Sequence, residues 1–168
     1  MSGAFSQTKL DDFIVTNEND TIHGVINKTR MTSRLILNSK SGIKYKIKKK
    51  LIKSFCKDNT LYYRYKIPGI GSPGKITENL KLIHKGKASL YTYEFSFASL
   101  TNFNNHKKRT TYYYIEKDNK IKYIRPDRFS KIMIVLFADD NEFVERIKSK
   151  EFSFGNILSL VQEYNKSN

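Results

Sequence analysis

The chain has 168 residues, 39% hydrophobic and 28% charged, with 11 Tyr, 11 Phe and no Trp. This composition suits one folded domain with a modest core and excludes a disordered chain, and no apolar run approaches the ~20 residues of a membrane-spanning helix. A balance of 31 Lys and Arg against 16 Asp and Glu gives +15 at pH 7, a field that attracts nucleic acid, anionic lipid head groups or acidic glycans.

At the start, Ala4-Phe5-Ser6 followed by Gln7 is a small-x-small triplet like the end of a secretory signal peptide cleaved after Ser6, without the basic and apolar segments that precede such a site. Residues 1–9 therefore read as a signal-peptide remnant or flexible lead, and 10–168 as a single α+β domain. "DDFIVTNENDTIHGVINKT" predicts two short strands joined by Asn17 to Asp20. "RLILNSKSGIKYKIKKK" predicts a hairpin around Asn38 to Gly42. Ile43, Tyr45 and Ile47 alternate with Lys44, Lys46 and Lys48, the pattern of a strand with an inner face and a wet cationic face. Cys56, the one cysteine, sits in "LIKSFCKD" as a small buried hydrophobe.

"LYYRYKI" alternates in the same way, with Leu61, Tyr63, Tyr65 and Ile67 on one face. Thr77 predicts the cap of a short inserted helix through "ENLKLIHK", with Gly86 as its stop. "SLYTYEFSF" predicts a strand with Tyr91, Tyr93, Phe95 and Phe97 on one face. A polar loop follows through "ASLTNFNNHKKR", and "TTYYYIEKDNKIKYI" predicts a hairpin turning at Asp118-Asn119. From Pro126 the period changes. Phe129, Ile132, Met133, Leu136 and Phe137 form a helical stripe behind Asp127 as cap. Asp139-x-x-Glu142 predicts a capping box for a helix burying Phe143, Val144 and Ile147. Ser153 predicts the cap of a third, with Phe154, Ile157, Leu158, Val161 and Tyr164 inward. Strands first and helices last predict an α+β fold, a mainly antiparallel sheet with one inserted helix and about three C-terminal helices.

Gly69, Gly71 and Gly74 in "IPGIGSPGK" match the glycine spacing of a dinucleotide-binding turn. Such a turn needs a continuously apolar parallel strand before it and a glycine inside the helix after it. "YYRYKI" carries Arg64 and Lys66, and Pro73 precedes Gly74, so a solvent-exposed loop is expected and no cofactor is assigned. His23, His84 and His106 fall in different predicted elements, so no metal ligand set is assigned. No nucleophile elbow, phosphate-binding loop or zinc-protease motif occurs, so no catalytic residue is assigned. Asp139 and Asp140 read as helix-start carboxylates. The polyanion candidates are Lys44, Lys46, Lys48, Lys49, Lys50 and Lys53, with a smaller cluster at Lys107, Lys108 and Arg109 beside His106.

Three segments, "FIVTNENDTIHGVI", "LIHKGKASLYTYEF" and "FSKIMIVLFADDNEFVERIKSKEFSFGNILSLVQEYN", resemble uncharacterised exported, signal-peptide-bearing proteins of Bacteroidetes-type bacteria. The matching positions are Asp20, Thr21, Ile22, Gly24 and Ile26; Leu90 and Tyr91; and the final Tyr164 and Asn165. The resemblance implies an exported chain that is periplasmic, outer-membrane-associated or secreted, and it brings no catalytic residues. The expectation is thus a non-enzymatic cell-envelope domain with an envelope partner or ligand. The alternatives are a polyanion or nucleic-acid binder using the basic surface, and a hydrolase whose site assembles only in three dimensions.

Overall fold

A computed structural model describes residues 11–27, 34–69, 74–97 and 108–167. The expected signal-peptide remnant, Gly71, Pro73 and the loop carrying His106 and Lys107 lie outside these residues. The fold is α+β. Among the described residues, ten strands follow the hydrogen-bonded order β10-β9-β8-β7-β6-β5-β1-β2-β3-β4. They are β1 Asp12–Thr16, β2 Thr21–Asn27, β3 Arg34–Asn38, β4 Lys44–Lys48, β5 Ile52–Lys57, β6 Thr60–Pro68, β7 Lys75–His84, β8 Ala88–Phe97, β9 Lys108–Lys117 and β10 Lys120–Ile124. The helices are α1 Phe129–Leu136, α2 Asn141–Lys148 and α3 Ile157–Ser167. Spatially, the chain clusters into two units, Met1–Tyr65 with Thr77–Asn79, and Lys66–Ile76 with Leu80–Asn168.

In the first unit, β1 and β2 pair antiparallel around the Asn17 to Asp20 turn, where Asn19 takes a φ of 70°. The β5–β6 turn puts Asp58 and Asn59 at φ 49° and 59°, the twist that suits a two-residue hairpin. Ile14, Ile26, Leu35, Leu37 and Ile52 are buried together, with Tyr45, Ile47 and Phe55 packed against them. Tyr45 and Ile47 thus take the inner face expected of them. Ile43 does not: it precedes β4 and is exposed. The Asp12 carboxylate accepts the Ile26 and Asp58 backbone N–H groups, each at 2.9 Å, and so ties β1 to β2 and to the β5–β6 turn. Cys56 is buried, and burial pushes its thiol up, which suits a packed side chain and not a nucleophile.

In the second unit, β8, β9 and β10 pair antiparallel and the helices cover one of their faces. Ala88, Leu90, Ile115 and Ile124 supply the sheet side of this core. Phe129, Met133, Phe137, Phe143, Ile147, Leu160, Val161 and Tyr164 supply the helix side. Alternation then places Tyr91, Tyr112, Tyr114 and Tyr123 on the opposite face. Tyr91 pairs with Tyr114 across β8–β9, and Tyr114 with Tyr123 across β9–β10. Asp118 and Asn119 turn the last hairpin at φ 51° and 58°.

Four local expectations are corrected. The segment "ENLKLIHK" is not a helix but most of β7, which pairs Lys81 with Thr92 and Leu82 with Tyr91. Leu80 is fully buried while Ile83 is exposed, so period-two burial against β8 outweighs the weak local helix preference. Gly86 accordingly lies between β7 and β8 and stops no helix. Asp127 does not cap α1. It lies in a 3-10 turn, Pro126–Arg128, and accepts two hydrogen bonds from Arg125. The cap of α2 is Asp140, whose side chain accepts from the Phe143 N–H at 2.9 Å, and not Asp139. In α3 the buried positions are Ile157, Leu160, Val161 and Tyr164, while Leu158 is exposed.

Asp139 instead joins a partly buried polar cluster. Its carboxylate accepts from Lys117 Nζ at 2.9 Å and from the Tyr164 hydroxyl at 2.7 Å, and Lys87 Nζ lies 3.2 Å away. Burial alone would raise the Asp139 carboxyl, but the hydrogen bonds from Lys117, Tyr164 and Lys87 outweigh it and hold the group well below the usual carboxylate range. Next to Tyr164, Asn165 takes the place of a missing strand partner. Its Oδ1 accepts the Ala88 N–H at 2.9 Å and its Nδ2 donates to the Ala88 carbonyl at 2.8 Å. A Cβ at Gly86 would lie 2.3 Å from the Asn165 Nδ2, so the glycine leaves room for this clasp. Asn165→Ala should destabilise the protein by about 1–2 kcal/mol, read from urea unfolding, since it strands both backbone groups of Ala88. An unchanged midpoint would remove the clasp from the account.

Candidate polyanion-binding groove

The expected basic stretch Lys44 to Lys53 folds into three different settings. In β4, Lys44, Lys46 and Lys48 share the exposed face, because alternate residues of a strand point the same way. The chain then tightens into a 3-10 turn, Lys49–Leu51, before β5. Asn17 Nδ2 donates to the Lys50 carbonyl at 3.1 Å, and the Asn17 N–H donates to the Leu51 carbonyl at 2.9 Å, which holds that turn against the β1–β2 loop. Lys53 Nζ donates to Asn19 Oδ1 at 2.7 Å and is committed to that loop.

Lys48, Lys49 and Lys50 converge with two residues distant in sequence, Arg34 and Arg64, around a groove of about 470 Å³. The β3–β4 register explains one half of this meeting: Arg34 is the cross-strand partner of Lys48. Arg64 comes from β6. Each of the five residues lining the groove is cationic. All five belong to the first unit. Like charges placed this closely repel one another, and a bound polyanion relieves that repulsion. Arg guanidinium groups add planar, multi-donor recognition of phosphate or sulfate to the point charges of the lysines.

Of the nine expected residues, Lys48, Lys49 and Lys50 thus line the groove, while Lys44, Lys46 and Lys53 do not. Lys108 and Arg109 open β9 in the second unit, and Lys107 lies outside the described residues. Arg34 and Arg64 escaped sequence reading. Arg34 opens a strand candidate and Arg64 sits among tyrosines, and neither forms part of a basic run.

The glycine loop is built differently from a nucleotide-binding turn. It joins β6 to β7, a strand and not a helix follows it, and the Gly69 N–H donates to the Gly74 carbonyl at 2.9 Å. Gly74, at φ +95°, occupies the left-handed region that favours glycine. Among the described residues, no three His, Cys, Asp or Glu side chains are grouped to hold a metal ion. No described helix is long and apolar enough to cross a membrane. Comparison with protein-family models, with curated proteins and with solved structures finds no match to this chain.

Proposed function

We propose that this protein is a non-enzymatic binding module for polyanions, gripping phosphate or sulfate groups in the groove of Arg34, Lys48, Lys49, Lys50 and Arg64. The observation that carries the reading is the groove's wholly cationic lining. The net charge of +15 adds a long-range field that draws such partners in. The Ala4-Phe5-Ser6 triplet supports an exported location for this module, where acidic envelope glycans are the accessible polyanions. Recovery from the native host of a form that keeps an uncleaved, cytosolic N-terminus would remove the exported part of the proposal.

A salt series against heparin and against duplex DNA tests the binding. Full engagement of five cations predicts a slope of about −4.5 in log K against log salt on the duplex. In the triple variant Arg34→Ala, Lys49→Ala, Arg64→Ala the slope should flatten by about 3, with unfolding by urea unchanged within ~0.5 kcal/mol. Failure to bind either probe at low ionic strength would end the proposal. Equal slopes in wild type and variant would assign the binding to diffuse surface charge and not to the groove.

A further inference from the structure

The second unit contains a concavity of a different character. About 500 Å³ in volume, it is lined chiefly by Pro68, Tyr112, Tyr114, Tyr123, Arg125 and Asp127. That size falls within the roughly 300–1,000 Å³ of small-ligand pockets. All of these residues belong to one unit. The three tyrosines come from the face of β9 and β10 that the helices leave uncovered. Tyr114 is buried and forms the floor, while Tyr112 and Tyr123 are half-buried. Their rings touch in a row: Tyr112 to Tyr123 at 5.9 Å and 52°, Tyr114 to Tyr123 at 5.4 Å and 39°.

Two features restrict what such a pocket can hold. The first is charge. Arg125 gives Nε to Asp127 Oδ1 at 3.0 Å and Nη2 to Oδ2 at 2.7 Å, so its guanidinium is paired where it stands, and Arg128 Nε, outside the lining, lies 3.9 Å from the same Oδ2. A phosphate or carboxylate placed there would be repelled by the Asp127 carboxylate in the lining, and a neutral ligand would not be. The pair still offers hydrogen bonds of both kinds. A guanidinium has five N–H donors and a carboxylate about four acceptor sites, so each retains capacity beyond their mutual pair. The second feature is ring geometry. A planar nucleobase is held best in a slot between parallel rings, but these rings are tilted and already in contact, which leaves no slot among them. They present a concave apolar wall whose electron-rich faces attract polarised C–H groups.

We propose that this pocket binds a neutral sugar, specifically a pyranose ring with equatorial hydroxyls. Such a ring sets its axial C–H groups against Tyr112 and Tyr123 and turns its hydroxyl edge to the Arg125–Asp127 pair. The site is independent of the cationic groove and belongs to no reading given above.

Cellotetraose, a neutral oligomer of all-equatorial glucose, is the probe. Titration calorimetry on the whole chain should show saturable binding that does not weaken between low and high salt. Tyrosine fluorescence should respond as well, since the chain has no Trp. Tyr112→Ala should weaken binding about tenfold or more, the loss of roughly 1.4 kcal/mol of stacking and burial. Arg125→Gln should weaken it similarly, and heparin binding should be untouched in both variants. Near-UV circular dichroism confirms that each variant is folded. Absence of cellotetraose binding to the folded wild type overturns the proposal. So does binding that Tyr112→Ala leaves intact, binding that salt abolishes, or binding of adenosine in place of the sugar.

Discussion

Asp139→Ala is expected to destabilise the protein by about 3 kcal/mol in urea unfolding at neutral pH. The reason is the partner left behind. Lys117 is only 7% exposed, and its ammonium group lies 2.9 Å from Asp139 Oδ1. Removing the carboxylate leaves that cation with the longer contact to the exposed Asp118 Oδ2, at 3.4 Å, and takes the acceptor from the Tyr164 hydroxyl, itself fully buried. The loss of one member of a buried pair costs roughly 3–5 kcal/mol. Asp139 is 38% exposed, so water reaches part of the cluster, and the lower end of that range applies. A double-mutant cycle isolates the cause: in a Lys117→Met background, Asp139→Ala should cost clearly less, because no buried cation remains to be stranded. Equal costs in the two backgrounds would mean that packing, and not charge, explains the loss.

The same cluster sets a pH dependence. Asp139 is held below its ordinary value of 3.8, so its stabilisation is present above about pH 4 and is lost as pH falls through the depressed value. Lys117 behaves in the opposite sense. Burial pulls its ammonium down, but the hydrogen bonds and charges of Asp139 and Tyr164 together outweigh this and raise the group above 10.5. Its contribution is therefore complete below pH 10.5 and fades as pH rises through the elevated value. In Asp139→Asn the acid limb of the stability profile below pH 4 should flatten, and an acid limb identical to wild type would contradict the assignment.

Gly24→Ala is the second substitution expected to cost heavily, about 3 kcal/mol. Gly24 stands where β2 changes partner. Thr21 to Gly24 pair with β1, and Val25 to Asn27 pair with β3. At that change the backbones come so close that a Cβ would sit 2.2 Å from the Asn38 carbonyl oxygen and 2.6 Å from Leu37 Cδ2. Backbone cannot rotate away as the end of a side chain can, so the β2–β3 ladder would have to shift. Leu37 is fully buried in the core of this unit, and the disturbance would spread there. A Gly24→Ala protein with wild-type urea midpoint would show that β2 and β3 part at little cost.

Short-range information was read well from the chain. The turns at Asn17 to Asp20 and at Asp118-Asn119 and the cationic alternation of β4 depend on residues within two to five positions of one another. So do the buried Phe143, Val144 and Ile147 of α2, and sequence reading located all of these. Where local preference and long-range pairing disagreed, local preference lost: "ENLKLIHK" spaces Leu80 and Ile83 as a helix would, yet β8 supplies the hydrogen bonds that make it a strand. The row "SLYTYEFSF" shows a similar limit. Alternation separates its two faces but does not say which one the helices will cover, and they cover Ala88 and Leu90, not Tyr91.

Composition and periodicity by themselves determined that this is an α+β chain, strongly basic, with strands before helices, because those properties are sums over neighbours in sequence. Only the tertiary structure decided that Arg34 and Arg64 join Lys48, Lys49 and Lys50. It alone placed Asp139 between two lysines and a tyrosine instead of at a helix cap, and gathered Tyr112, Tyr114 and Tyr123 around one pocket. Each of these depends on strand register and on which face is covered, and register is a free-energy choice made between segments that lie far apart along the chain.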